Sequence, residues 1–147
     1  LLAVLLIDEK DNHEYFLHKY NVSNRITEML KKFKKDFIEL QNNKDYFEKD
    51  LIKNIYLNGK KHIISLNLIN FSINTKVKAY DFSNTLNKIL KTKVPFLPID
   101  GELLKQKGMK EGESLGKVLK ELEKEWLNNN FKISNNRIDE IIKIHSN

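Results

Sequence analysis

The chain has 147 residues, 26 Lys and Arg against 20 Asp and Glu, a net charge of +6 and no cysteine. Its length buries about 70% of the unfolded surface, enough for one compact domain or two small helical ones, and without cysteine neither a disulfide nor a thiolate metal site can form. The apolar run LLAVLLI at the N-terminus is seven residues long, against ~20 for a membrane span, and it lacks the basic start and small-residue cleavage site of a signal peptide.

That run therefore reads as part of a core helix ending near Asp8, with DEKDN as a turn. A short helix follows over Glu14 to Tyr20. Ser23 suits the N-cap of the next helix, which runs to about Leu40 with Ile26, Leu30, Phe33, Phe37 and Leu40 as its apolar stripe. Lys31, Lys32, Lys34 and Lys35 read as its solvated face, offset by Asp36 and Glu39. Polar residues from Gln41 to Lys44 break the pattern. Asp45 to Leu57 reads as a further helix, with Phe47, Leu51, Ile55 and Tyr56 inward and Asn58-Gly59 as its stop. His62 to Ile73 mixes β-branched residues with some alternation; its helical neighbours place it as a helix. Val77 to Thr92 is another, carrying Phe82, Leu86, Ile89 and Leu90. Pro95 and Pro98 then forbid helix across a linker, since each disfavours it in the preceding residue. A closing helix spans Asn135 to His145, docking through Ile138, Ile141, Ile142 and His145. The expected fold is all-α, with a helical segment over 1–93 and a small domain over 94–147.

Between the linker and Trp126, PFLPIDGELLKQKGMKEGESLGKVLKELEKEW holds four of the five glycines. They punctuate a short helix (Glu102 to Lys107) and a long one (about Ser114 to Leu127). Gly108 stands where a helix stops in the left-handed conformation. Gly112 and Gly116 open the next helix, where a missing side chain lets another backbone approach. Leu115, Leu119, Leu122 and Trp126 recur as one apolar stripe, which makes Trp126 a core closure with Phe131 rather than a base-stacking surface. Glu113–Lys117 and Glu121–Lys124 read as pairs on the helix surface. A tight helix–turn–helix ringed by Lys105, Lys107, Lys110 and Lys117 suits a phosphate backbone, and the second helix's N-terminal amides add donors.

Charge is unevenly spread. Residues 51–100 hold eight Lys (Lys53, Lys60, Lys61, Lys76, Lys78, Lys88, Lys91, Lys93) against Asp81 and Asp100, whereas 1–50 hold nine basic and ten acidic residues and 101–147 nine and eight. A local basic surface makes polyanion binding fast and salt-sensitive. Lys outnumbers Arg 24 to two with Asn and Ile abundant, as AT-rich coding produces, so position counts for more than the total. His13 and His18, five apart, fall on different faces of a helix and make poor metal ligands. No spacing supports a Ser/His/Asp arrangement.

The string Pro-Phe-x-Pro, Gly-x-x-Leu, Lys-Gly-Met-x-x-Gly-x-x-x-Gly-x-x-Leu-x-x-Leu-Glu-x-x-Trp, continued by Phe131 and Ser134, resembles the C-terminal tail of bacterial tRNA nucleotidyltransferases, the CCA-adding enzymes and related poly(A) polymerases. Tyr20-Asn21-Val22-Ser23-Asn24-Arg25 is similar to the Leu-x-Leu-Ser-Asn segment of that family's helical body. The resemblance implies a tRNA-binding body half and tail, with the tail at the tRNA elbow and the acceptor stem directed to a catalytic head. It implies RNA contacts at Lys105, Lys107, Gly108, Lys110, Gly112, Gly116 and Lys117. The family's head holds Mg and CTP or ATP with a Gly-Gly turn and an Asp-x-Asp pair, and this chain has neither sequence. The chain thus reads as the part beyond the head and neck, with no catalytic residue, metal or cofactor of its own and no activity expected alone. The compartment expected is the cytoplasm. Two departures put acidic charge near the phosphate face: Glu102-Leu103 where the family has a basic residue and Asp, and Glu113 where it often has Pro. Two other readings compete: a module docking to a separately encoded catalytic subunit through an apolar patch at LLAVLLI, and an inert remnant of a split gene. The residues deciding between CCA and poly(A) lie outside this chain.

Overall fold

The computed structural model describes residues 2–8 and 10–145. All regular structure among them is α-helical: α1 Leu2–Leu6, α2 Asn12–Lys19, α3 Asn24–Asn42, α4 Leu51–Asn58, α5 Lys60–Ile73, α6 Ala79–Lys91, α7 Gly101–Gln106, α8 Glu113–Asn128 and α9 Asn135–His145. No helix of the described residues is long and apolar enough to cross a membrane. The chain divides into two compact units, 1–94 and 95–147.

In the first unit α5 is the centre, packing against α1, α3, α4 and α6. Its sequence explains why: Ile63, Leu66, Asn67 and Ile69 are buried, while Ile64 and Ile73 pack partly against the same core. A helix apolar on several sides has to be surrounded, and this is why its sequence shows no clean helical stripe. Ala3, Ile7, Leu30, Phe33, Phe37, Tyr46, Leu51, Ile55 and Ile89 complete the core. Buried amides stitch it together. Asn54 Nδ2 donates to the Tyr46 carbonyl at 2.9 Å and Asn67 Nδ2 to the Phe82 carbonyl at 3.1 Å, so neither polar group is left unsatisfied. The Lys60 ammonium donates to the Leu90 carbonyl at 2.8 Å, placing a cation at the C-terminal end of α6.

Four details differ from the sequence-based expectation. The helix expected from Asp45 begins only at Leu51, and 44–50 form turns. Asn43 causes this: its Oδ1 accepts from the Asp45 amide (2.9 Å) and its Nδ2 donates to Asp50 Oδ2 (2.8 Å), side-chain bonds that compete with helix. Ser23 occupies the N-cap position of α3, yet its side chain makes no capping bond. Asp36 is not a surface counter-charge to the α3 lysines; it is 7% exposed and bonded to His62 Nε2 at 2.6 Å, whose ring stacks on Phe33. Leu90 points outward, 53% exposed.

The second unit is three helices around Ile99, Leu104, Met109, Val118, Leu122, Ile138, Ile141 and Ile142. Leu115 and Leu119 pack partly against this core, and Val118, one position off the expected stripe, is fully buried. Trp126 is 2% exposed and meets Phe131 edge-on at 4.9 Å. Asn130 and Phe131 both take positive φ at the end of α8 (52° and 62°), which turns Phe131 back onto Trp126.

Candidate nucleic-acid interface

The helix–turn–helix is built from two stops and two starts. Asp100 starts α7: its Oδ1 accepts from the Leu103 amide at 2.9 Å, an N-cap bond. Gly108 stops it with φ 95°. The Met109 amide reaches back to the Leu104 carbonyl (3.0 Å) and the Gly108 amide to that of Lys105 (2.9 Å), the paired bonds of a Schellman turn. Leu104 and Met109, the two apolar residues such a turn brings together, are both buried in the core. Gly112 then takes φ 148°, ψ −168° as N-cap of α8, a region essentially restricted to glycine. It offers no side-chain cap, so the first amides of α8 carry no capping oxygen from that residue.

Gly116 departs from expectation. A methyl group there would meet nothing within 4 Å, so no backbone approaches it and only helix propensity distinguishes it from alanine. Nor is Gly112 a site of close approach, its surroundings being equally open; its need for glycine is conformational.

The four lysines of the turn are unequal. The Lys105 ammonium lies 3.2 Å from Glu102 and 3.6 Å from Glu111, whose charges hold its pKa above the ordinary lysine value. Lys107 bonds Asp139 at 2.6 Å, joining α7 to α9. Lys117 lies 2.8 Å from Glu113. Lys110 is exposed and has no ion-pair partner among the described residues. With Gly108, Met109, Ser114 and His145 it lines a cavity of about 230 Å³ beside the start of α8. Sequence reasoning missed this grouping because His145 arrives from the far end of α9. Its Nε2 meets Glu121 at 2.8 Å, the glutamate expected to pair with Lys124.

Charge separates the two units. Residues 95–147 carry nine basic and nine acidic side chains, whereas 1–94 carry seventeen basic and eleven acidic. In the second unit Arg137 is clasped by Glu125 (2.7 Å) and Glu140 (2.9 Å), which raise its pKa further. In the first unit Lys88 meets Glu48 at 2.6 Å, and Lys34 meets Asp11 at 2.6 Å, whose carboxyl it holds below the usual aspartate range. Lys61, Lys76, Lys91 and Lys93 are exposed and have no ion-pair partner among the described residues. His13 is buried and His18 exposed, and no group of three or more metal-ligating side chains occurs among the described residues. No family model matches the chain, and no curated protein or solved structure is significantly similar to it.

Proposed function

We propose that this chain is an RNA-binding portion of a tRNA nucleotidyltransferase or poly(A) polymerase, holding the RNA so that its 3′ end reaches a catalytic head carried elsewhere. The observation that carries the reading is the charge asymmetry. The entire excess of +6 lies on the first unit, and Lys61, Lys76, Lys91 and Lys93 stand there without acidic partners among the described residues. Uncompensated lysines are what a phosphate backbone recruits, through release of its counterions. The helix–turn–helix adds a second kind of contact: Lys110 and Ser114 beside the opening amides of α8. Such groups recognise backbone shape, which suits duplex RNA, whose deep groove hides its base edges. The motif string from Pro95 to Trp126 supplies the family within this reading.

The alternative of docking onto a catalytic subunit places its apolar surface at LLAVLLI. In α1, Ala3 is buried, Val4 and Leu6 pack partly against the core, and Leu5 is 72% exposed, which leaves that helix a narrow apolar face for a partner.

Fluorescence anisotropy against a whole tRNA and an acceptor-stem hairpin lacking the elbow, across a salt series, tests the proposal. Tighter, salt-dependent binding to the whole tRNA is expected. Equal weak binding to both RNAs contradicts an elbow-reading role.

A further inference from the structure

Apart from its exposed lysines, the first unit presents an aromatic face at the C-terminal end of α2. Tyr15 and Tyr20 are 63% and 50% exposed. Phe16 lies between them in sequence and packs against the core, and its ring backs that of Tyr20 at 5.0 Å with a 41° tilt. The Lys19 ammonium lies 5.5 Å from the centre of the Tyr15 ring and 5.6 Å from that of Tyr20. One cation thus serves two exposed rings at once, a distance at which the ring quadrupole attracts it.

We propose that Tyr15, Lys19 and Tyr20 form a stacking platform for an unpaired nucleobase of RNA, with the Lys19 ammonium meeting the adjoining phosphate. The proposal rests on the RNA-binding reading and adds to it a place where single-stranded RNA is held. The chemistry selects the occupant. A large exposed ring attracts any flat apolar surface, but a cation lying against both rings disfavours an aliphatic partner, which would desolvate the ammonium and give it nothing in return. A nucleotide brings both parts: a π face for the rings and an anion for the cation. Of the acidic groups nearest in sequence, Asp11 is engaged by Lys34 at 2.6 Å, and Glu14 lies 3.4 Å from His13 Nε2. Arg25, exposed in the first turn of α3, follows closely along the chain, and the surrounding unit is the positively charged one.

The test uses the full chain with two labelled RNAs: an oligouridylate of about 12 nucleotides and a fully paired hairpin. Wild type, Y15L/Y20L and Y15F/Y20F are compared by anisotropy, with circular dichroism to establish that each is folded. The leucine variant should lose about tenfold or more in oligouridylate affinity while keeping its affinity for the hairpin, and the phenylalanine variant should stay near wild type, since stacking needs the ring and not the hydroxyl. A folded leucine variant with unchanged oligouridylate affinity, an equal loss on both RNAs, or wild-type binding to the hairpin alone overturns the platform and leaves RNA binding standing. A wild type that binds neither RNA overturns the platform, and one that also fails to bind a whole tRNA overturns the RNA-binding reading with it.

Discussion

The two units differ in their balance of charge. In residues 95–147 basic and acidic groups balance: the bonds of Lys107 to Asp139, Arg137 to Glu125, and His145 to Glu121 tie helices together, while Lys110, Lys120, Lys124, Lys132 and Lys143 are exposed with no ion-pair partner among the described residues. In residues 1–94 basic groups outnumber acidic ones, and several lysines face solvent without an acidic partner among the described residues. A lysine-rich turn and a lysine-rich surface look alike as strings of letters. They differ in whether a carboxylate sits within bonding distance, because a phosphate must displace that carboxylate before it gains anything.

The sharpest way to probe the comparison on the stability side is at Trp126. It is 2% exposed against Phe131, so Trp126→Ala should cost about 3–5 kcal/mol by urea denaturation. Leu90→Ala, at a 53% exposed position of the first unit, should change stability by less than about 0.5 kcal/mol. A similar cost at both positions would mean that burial does not order their contributions.

The glycines of the turn give the next largest contrast. Gly112 holds φ 148°, and Gly112→Val should cost about 1–3 kcal/mol and lower RNA affinity with it by displacing the start of α8. A folded Gly112→Val variant with full affinity would remove the turn from the binding surface. Gly116→Ala should instead stabilise by roughly 0.5–1 kcal/mol, because the position is helical and its surroundings are open. Paired thermal melts would separate the two.

A smaller effect is expected from His62. Burial holds its imidazole below the ordinary histidine range, outweighing the opposite pull of Asp36. The unfolded chain therefore takes up a proton that the folded one resists. Stability is at its full value above about pH 6.5 and falls as the pH drops below that. Urea titrations between pH 7 and 5 should show this loss in wild type and a weaker dependence in His62→Gln. Parallel profiles would exclude His62 as its source.

Much of the helical architecture was legible in the sequence, because Gly59, Pro95, Pro98 and Gly108 interrupt it by local chemistry that needs no tertiary context. The stripe on α8 was nearly so, missing Val118 and Leu127. What was not legible depended on distant partners. The Asn43 side chain replaces a turn of helix with its own bonds. Asp36 finds His62 across the core, and Lys107 finds Asp139 from another helix. Within the turn, glycine spacing alone could not distinguish Gly112, which needs its backbone freedom, from Gly116, which does not. Tyr15 and Lys19 stand four apart, a spacing that places them together on a helix, whereas the adjoining Tyr20 joins them only because the chain leaves the helix there.

The central claim is that RNA affinity resides mainly in the unpaired lysines of the first unit. It is tested most directly by the salt dependence of tRNA binding in two variants, K61Q/K76Q/K91Q/K93Q and K105Q/K107Q/K110Q/K117Q. Each lost phosphate contact flattens the log–log slope by about 0.7–0.9. The first variant should therefore flatten it by up to about 3.6, and the second, in which Lys110 alone lacks a carboxylate partner among the described residues, by about 1. The reverse order, with the turn variant losing the steeper part of the slope, would contradict the account.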